Sequence, residues 1–264
     1  MTDLRLDMFI KEKLNISRQK AQELILNNNV SVNNKIINKP SYKVSENDNV
    51  NVSSTENILK YVGRGGYKLE KAIEVFDINI KGICIDIGAS TGGFTDCMLK
   101  NGAEIVYAVD VGSDQLAECL RNDIRVVSME NCDIRNADVP KADFIGCDVS
   151  FISLTKIFER VREILKDDGQ GVFLIKPQFE AGKENISKKG IVKNPKVHKK
   201  VIRDIADNAA CNNLYVKAIT YSPIQGGDGN IEYLILIDKK KGISVSQQDM
   251  DLTVENAFIN FKNR

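Results

Sequence analysis

No stretch of the chain narrows its possible folds as far as Asp86-Ile87-Gly88-Ala89-Ser90-Thr91-Gly92-Gly93-Phe94-Thr95-Asp96. The apolar run Gly82-Ile83-Cys84-Ile85 leads into it, and Phe94, Met98 and Leu99 leave it at helical spacing. That order is a strand, a glycine-rich turn and the start of a helix. Glycines accept positive φ and let a ligand approach the backbone with no Cβ in the way. Such a turn holds a nucleotide-like cofactor at the carboxyl end of the first sheet strand. The spacing departs from G-x-G-x-x-G and has no G-K-[ST] ending, which argues against a dinucleotide or P-loop site. Asp86, directly ahead of the glycines, suits a ligand with a cationic or ammonium-bearing part and not a pyrophosphate; S-adenosylmethionine is such a ligand.

From Gly63 onward, apolar runs alternate with amphipathic helical patterns, and strands are predicted at 83–87, 105–110, 125–129, 143–148, 172–176, 215–221 and 232–238. A β-α-β rhythm of this kind predicts an α/β fold with a mainly parallel sheet covered on both faces. Ligands of such sheets bind beyond the carboxyl ends of the strands. Residues 1–52 read as a small α+β unit. Leu6, Phe9, Ile10 and Leu14 recur at helical spacing, and Ser17 is placed to cap a second helix carrying Ala21, Leu24 and Ile25. Strands around Val30-Ser31-Val32 and Val50-Asn51-Val52 follow, with turns at Asn33-Asn34 and Lys39-Pro40. Residues 53–62 read as a linker, 63–243 as the large domain, and 244–264 as a polar segment resembling a terminal helix at best.

A net charge of +1 over 264 residues places any nucleic-acid contact in local patches and not in the chain as a whole. No apolar stretch approaches the ~18 residues of a membrane span. The start, Met1-Thr2-Asp3-Leu4-Arg5-Leu6-Asp7, carries acids where a secretory signal would not, so a cytoplasmic protein is expected. The six cysteines form no C-x-x-C pair and His198 is the single histidine, so no metal site is expected and the thiols read as buried and reduced. Val106-Tyr107-Ala108-Val109-Asp110 is a second strand ending in an acid, and an acid there can accept from both hydroxyls of a ribose. Asp133, after the next strand, is a candidate for the adenine edge.

Four motifs carry a family resemblance. The Asp86–Asp96 segment, Tyr107-Ala108-Val109-Asp110-Val111-Gly112, Asp148-Val149-Ser150-Phe151-Ile152-Ser153-Leu154 and Lys176-Pro177-Gln178-Phe179-Glu180 resemble the TlyA (hemolysin A) family of ribosomal RNA 2′-O-methyltransferases. Arg5-Leu6-Asp7, Ser17-Arg18, Val30-Ser31-Val32-Asn33 and Lys39-Pro40-Ser41 resemble its S4 RNA-binding domain. Asn29 and Asn34 stand at turn positions where S4 domains usually carry glycine; asparagine tolerates the left-handed region better than most residues. The resemblance implies a Rossmann-like class I methyltransferase sheet of the FtsJ type behind a small S4 domain, with S-adenosylmethionine as cofactor. The implied cofactor residues are Asp86, Gly88, Ala89, Ser90, Thr91, Gly92, Gly93, Phe94, Asp110, Val111, Asp133 and Asp148.

The resemblance also implies a Lys-Asp-Lys-Glu catalytic set at Lys68, Asp148, Lys176 and Glu232. A ribose hydroxyl is a weak nucleophile that must lose its proton, so positioning and stabilisation of a developing alkoxide are what the protein has to supply. Lys176 is expected at the 2′-oxygen, either as base or as cationic stabiliser, because Lys68 would lower its pKa while Asp148 and Glu232 would raise it. Between Lys183 and Lys200 stand seven lysines and one acid, Glu184, read as a loop able to close on an RNA backbone. Candidate RNA contacts are Arg5, Arg18, Lys20, Arg64, Lys188 and Lys189. The family implies cytidine riboses of ribosomal RNA in assembled subunits. Two other classes compete: a non-catalytic RNA-binding assembly factor and a membrane-lytic protein.

Overall fold

A computed structural model describes residues 4–14, 16, 18–26, 28–45, 47–53, 60–226, 229–242 and 244–262, with the side chains of Gln19, Lys20 and Glu23 outside the described set. The predicted cap Ser17, most of the 53–62 linker and the Lys20 side chain therefore lie outside the described residues. The chain divides into two units, Met1–Lys60 and Tyr61–Arg264.

In the small unit, β1 (Leu4–Arg5) leads into the helix Leu6–Leu14, followed by the helix Arg18–Leu26 and by β2 (Val30–Val32), β3 (Lys35–Ile36), β4 (Lys43–Val44) and β5 (Val50–Val52). β1 pairs with β4, and β2 lies between β3 and β5. Leu6, Ile10, Ala21, Leu24, Ile25, Val30, Val32, Val44 and Val50 form its core. Asn33 and Asn34 have φ 51° and 64° and make the two-residue loop between Val32 and Lys35, the geometry that matches the twist of a tight hairpin. The other positive φ falls at Asn28 (60°) and not at Asn29, because the helix Arg18–Leu26 ends there and the Asn29 N–H returns to Leu24 O.

The large unit is built on a seven-stranded sheet of β6 (Ile83–Ile87), β7 (Ile105–Val109), β8 (Val126–Met129), β9 (Ala142–Cys147), β10 (Leu165–Ile175), β11 (Tyr215–Tyr221) and β12 (Tyr233–Asp238), in the order β11-β12-β10-β9-β6-β7-β8. All pairs are parallel except those made by β12. The alternation of side chains splits its strands between two cores. Ile85, Ile87, Ile145, Cys147, Phe173 and Ile175 face one. Cys84, Val106, Ala108, Phe144, Val172 and Leu174 face the other. The chain runs outward from β6 through β7 to β8 and returns to place β9 on the other side of β6, so the strand order reverses at the carboxyl end of β6.

Several boundaries differ from those expected. β10 starts at Leu165, with an irregularity in its pairing to β9 between Leu165 and Gln170 that absorbs Asp167, Asp168 and Gly169. It ends at Ile175, so Lys176 is the cap residue ahead of the helix Pro177–Glu180. Tyr61 is buried in the large unit's core, and the Val62 N–H bonds Asp96 Oδ2 at 2.9 Å. The helix Gln247–Lys262 buries Met250, Val254 and Ala257, with Phe258 and Phe261 packed beside them, against the sheet face that carries the helix Pro195–Cys211. Cys84, Cys97 and Cys147 are buried, whereas Cys119 and Cys211 are exposed.

Candidate active site

The glycine turn forms as it does because Asp86 anchors it from below. Asp86 Oδ2 accepts from the Thr95 N–H at 2.8 Å and from Thr95 Oγ1 at 2.7 Å, tying the end of β6 to the helix Gly93–Lys100. The carboxyl is fully buried, and burial pushes its pKa up to about 7 against those two bonds. Gly88 has φ 82°, and a Cβ there would stand 2.9 Å from the Asp148 carbonyl oxygen. A Cβ on Gly93 would stand 2.8 Å from Gly66 N, so glycine is what lets the helix Gly65–Phe76 pack its first turn on that of Gly93–Lys100.

Above the turn lies a cavity of about 410 Å³ at the carboxyl ends of β6, β7 and β9. Of the expected cofactor residues, Gly88, Ser90, Asp110, Val111, Asp133 and Asp148 line it. Asp86, Ala89, Thr91, Gly92, Gly93 and Phe94 do not; they build the floor, Asp86 behind Thr95 and Phe94 against Gly65 and Gly146. Gln115, Cys132, Ser150, Phe151 and Ile152 also line it and were not foreseen. The Asp148–Leu154 motif held the signal for three of them. Asp110 Oδ2 accepts from Ser90 N and Oδ1 from Gly112 N, both at 2.7 Å, which fixes the carboxylate against the cavity wall. Asp133 is held below its usual pKa, first by the Arg135 guanidinium.

At the cavity's edge four side chains from distant segments meet. Lys68, on the helix Gly65–Phe76, donates to Glu232 Oε2 at 2.8 Å and to Asp148 Oδ2 at 3.4 Å. Lys176 Nζ stands 2.6 Å from Asp148 Oδ1 and donates to Ser150 Oγ at 2.8 Å. Gln178 Nε2 reaches Glu232 Oε1 at 3.4 Å. Burial lowers the Lys68 pKa, but the carboxylates of Asp148 and Glu232 outweigh it and hold the ammonium above its usual value. Burial likewise raises Asp148, and the two lysines more than reverse it. Phe151, with φ 65° and 91% exposed, lies with its ring centroid 5.0 Å from that of Phe179, whose ring sits 5.9 Å from Lys176 Nζ.

The basic residues scatter more than the sequence implied. Arg64, Lys188 and Lys189 are exposed. The stretch 195–200 is not loop but the start of the helix Pro195–Cys211, capped by Asn194. His198 is fully buried there between Tyr233 Oη (2.8 Å) and the Val192 carbonyl (2.9 Å), and Lys199 and Lys200 pair with Glu255 and Asp204. Arg5 and Arg18, in the small unit, both bond Asp7. Among the described residues no helix is long and apolar enough to cross a membrane, and no cluster of His, Cys, Asp and Glu fits a metal ion.

Residues 61–239 match the FtsJ-like methyltransferase family, and residues 4–50 match the S4 domain. The chain belongs to the FtsJ-like methyltransferase family. It is 45% identical to "Hemolysin A" of Brachyspira hyodysenteriae over 88% of this chain and 98% of that protein. It is 35% identical to the "16S/23S rRNA (cytidine-2'-O)-methyltransferase TlyA" of Mycobacterium tuberculosis over 94% of each. A structure solved under the name hemolysin, from Streptococcus thermophilus, superposes with TM-score 0.79 at 41% identity, covering 100% of this chain and 98% of that one.

The cofactor of this FtsJ-like methyltransferase is S-adenosylmethionine, and the cavity fits it. The wall carries Asp110, Asp133 and Asp148 and no lysine or arginine, a donor set suited to a cationic sulfonium and an ammonium. Gly88 lines the cavity at a point where a side chain would collide with the backbone of Asp148 and Val149. Asp110, held by two backbone N–H groups, keeps further lone pairs beyond those two bonds.

Proposed function

We propose that this methyltransferase methylates a ribose 2′-hydroxyl in ribosomal RNA, on a cytidine, with Lys68, Asp148, Lys176 and Glu232 as its catalytic set and Asp110 and Asp133 at the nucleoside end of the cofactor. The observation that carries the reading is the cluster at the cavity's edge: two lysines and two carboxylates, interlocked at 2.6–3.4 Å, beside an acidic cavity. S-adenosylmethionine supplies an already activated methyl group, so the chain's own work is to place the hydroxyl and support the charge that develops on its oxygen. Lys176 does this. Its ammonium donates to Ser150 Oγ and lies 2.6 Å from Asp148 Oδ1 as an ion pair, which leaves N–H groups for the 2′-oxygen. Lys68 neutralises the far side of Asp148 and the buried Glu232, fixing the carboxylate that in turn fixes Lys176.

The exposed Phe151 and its neighbour Phe179 offer an apolar face beside Lys176 on which the base of a splayed nucleotide can stack. Arg64, Lys188 and Lys189 contact the RNA backbone from the large unit, and Arg5, Arg18 and Lys20 from the S4 unit, giving register without reading sequence. Ribosomal subunits in the cytoplasm are the substrate this reading requires. Two TlyA relatives are named for cytidine 2′-O-methylation of rRNA, which supports the choice of nucleotide.

The test is incubation of the pure protein with methyl-labelled S-adenosylmethionine and ribosomal subunits from a strain lacking the enzyme, followed by nucleoside mapping. Label on the 2′-oxygen of a cytidine is expected. Label on a base would overturn the role of Lys176. No label, alongside measurable cofactor binding, would favour the assembly-factor reading.

A further inference from the structure

Asp7 stands in the first turn of the helix Leu6–Leu14 with its side chain fully buried, and it is the hub of a hydrogen-bond cluster. Arg5 grips it with two bonds, Nε to Oδ1 at 3.0 Å and Nη2 to Oδ2 at 2.9 Å. Arg18 Nε donates to Oδ2 at 3.0 Å, and Gln22 Nε2 to the same oxygen at 2.9 Å. The two arginines come from different elements yet lie against one carboxylate oxygen, with their side chains 44% and 52% exposed. Among the described residues, Asp7 is the one side chain either guanidinium bonds. A guanidinium has five donors, so both arginines keep most of theirs for an acceptor outside the protein.

We propose that Asp7 is a positioning residue for RNA binding: it holds Arg5 and Arg18 side by side, in one rotamer each, as a preformed fork for backbone phosphates. This rests on the reading above that Arg5 and Arg18 contact RNA. A free arginine side chain loses substantial rotamer freedom when it is fixed on a phosphate, and that loss weakens binding. Here the loss is met on folding, because a buried carboxylate has already ordered both side chains. Two arginines about one acid leave the cluster with a net positive charge, so the fork still attracts an anion. A surface acid would hold an arginine only weakly, since exposed ion pairs contribute little. The burial of Asp7 is what makes it an effective clamp.

The proposal predicts the opposite sign to simple electrostatics. Removing an acid from an RNA-binding unit ordinarily strengthens binding, because polyanion affinity rises with net positive charge. Asp7→Asn, in the full-length protein, is instead expected to weaken binding of transcribed 23S ribosomal RNA about tenfold in filter retention at fixed salt. Glu12→Gln, on the exposed part of the same helix, serves as the electrostatic control and is expected to strengthen binding slightly. The same substitution at Asp7 is then made in an Arg5→Ala/Arg18→Ala background, where its effect is expected to vanish. A loss that persists there would mean a purely structural role for Asp7 and overturn the proposal. So would tighter binding by Asp7→Asn. If Arg5→Ala/Arg18→Ala alone binds as well as the wild type, the reading of these arginines as RNA contacts fails first, and the clamp falls with it.

Discussion

Two aspartates close neighbouring strands and meet opposite fates. Asp86 lies one residue before the end of β6, and Asp148 one residue after the end of β9, where its N–H bonds the Ile87 carbonyl at 3.0 Å. Burial acts on both in the same direction, against the charged form. Asp86 has only Thr95 to answer it, a neutral residue, and its carboxyl is pushed up to about 7. Asp148 has Lys176 at 2.6 Å and Lys68 at 3.4 Å and stays below the usual carboxylate range. The nearness of a cation therefore decides which acid is charged at neutral pH. The settled charge sits beside the proposed 2′-oxygen site, while the carboxyl under the turn titrates near neutrality.

The lysines are the place to break this contrast. Lys176→Ala is expected to lower methyl transfer on the order of 10³–10⁴-fold, because the group proposed to touch the 2′-oxygen is gone. Cofactor affinity should hardly move, since Lys176 does not line the cavity and Asp148 keeps Lys68. Parallel label-transfer and calorimetric titrations check it, and a joint loss of both would withdraw the catalytic role. Lys68→Met should act on stability as well. It leaves Glu232, whose side chain is 3% exposed, without its ammonium and takes one of the two from Asp148. Stranding a buried charge costs about 3–5 kcal/mol. Denaturant unfolding would show it, and a change under about 1 kcal/mol would mean that Glu232 is not held as an ion.

Asp86 sharpens the contrast from the other side. Its folded pKa of about 7 lies above the ordinary aspartate value of 3.8. Between those two pH values the native state holds more protons than the unfolded chain, so native stability falls as pH rises through the window and the full cost is present above 7. Asp86→Asn keeps an oxygen for Thr95 and removes the charge. The variant should match the wild type near pH 4 and exceed its stability at pH 8 by on the order of 2–4 kcal/mol. Thermal unfolding at both pH values checks the sign. Identical pH profiles for variant and wild type would mean that Asp86 is not destabilised by burial.

Much of this contrast could be read before any coordinates. The strand-turn-helix around Asp86 and the alternating apolar runs are local patterns, and local patterns survive into the sheet: Cys84, Ile85 and Ile87 divide between its two faces as a two-residue period requires. Lys68 and Glu232 were different. Alone, a lysine in a helix and a glutamate at the start of a strand look like solvated surface, and only family resemblance joined residues so far apart in the chain. Burial was the least legible property. Asp86 was expected to face the ligand and instead anchors the floor, because its face of β6 packs on the helix Gly93–Lys100. His198 falls within the 183–200 stretch read as a loop, yet one helical turn carries it inward while Lys199 and Lys200 stay on the surface side. The polar look of 244–264 hid a buried stripe of Met250, Val254 and Ala257 at spacings of four and three.

The smallest expected effect separates the two partners of Lys176. Asp148 holds its ammonium as an ion pair at 2.6 Å, while Ser150 Oγ, a neutral acceptor, takes one of its N–H groups at 2.8 Å. A hydrogen bond to a charged group contributes about 1.5–3 kcal/mol, and the Asp148 contact adds a full countercharge to it. If the ion pair fixes the lysine and the hydroxyl only trims its direction, Ser150→Ala should lower kcat about tenfold and leave KM for RNA unchanged. Asp148→Asn should reduce kcat far more. A Ser150→Ala variant as impaired as Asp148→Asn would transfer the anchoring role to the hydroxyl. The charge beside the 2′-oxygen site would then serve Lys68 and Glu232, and Lys176 would be aimed by a neutral group alone.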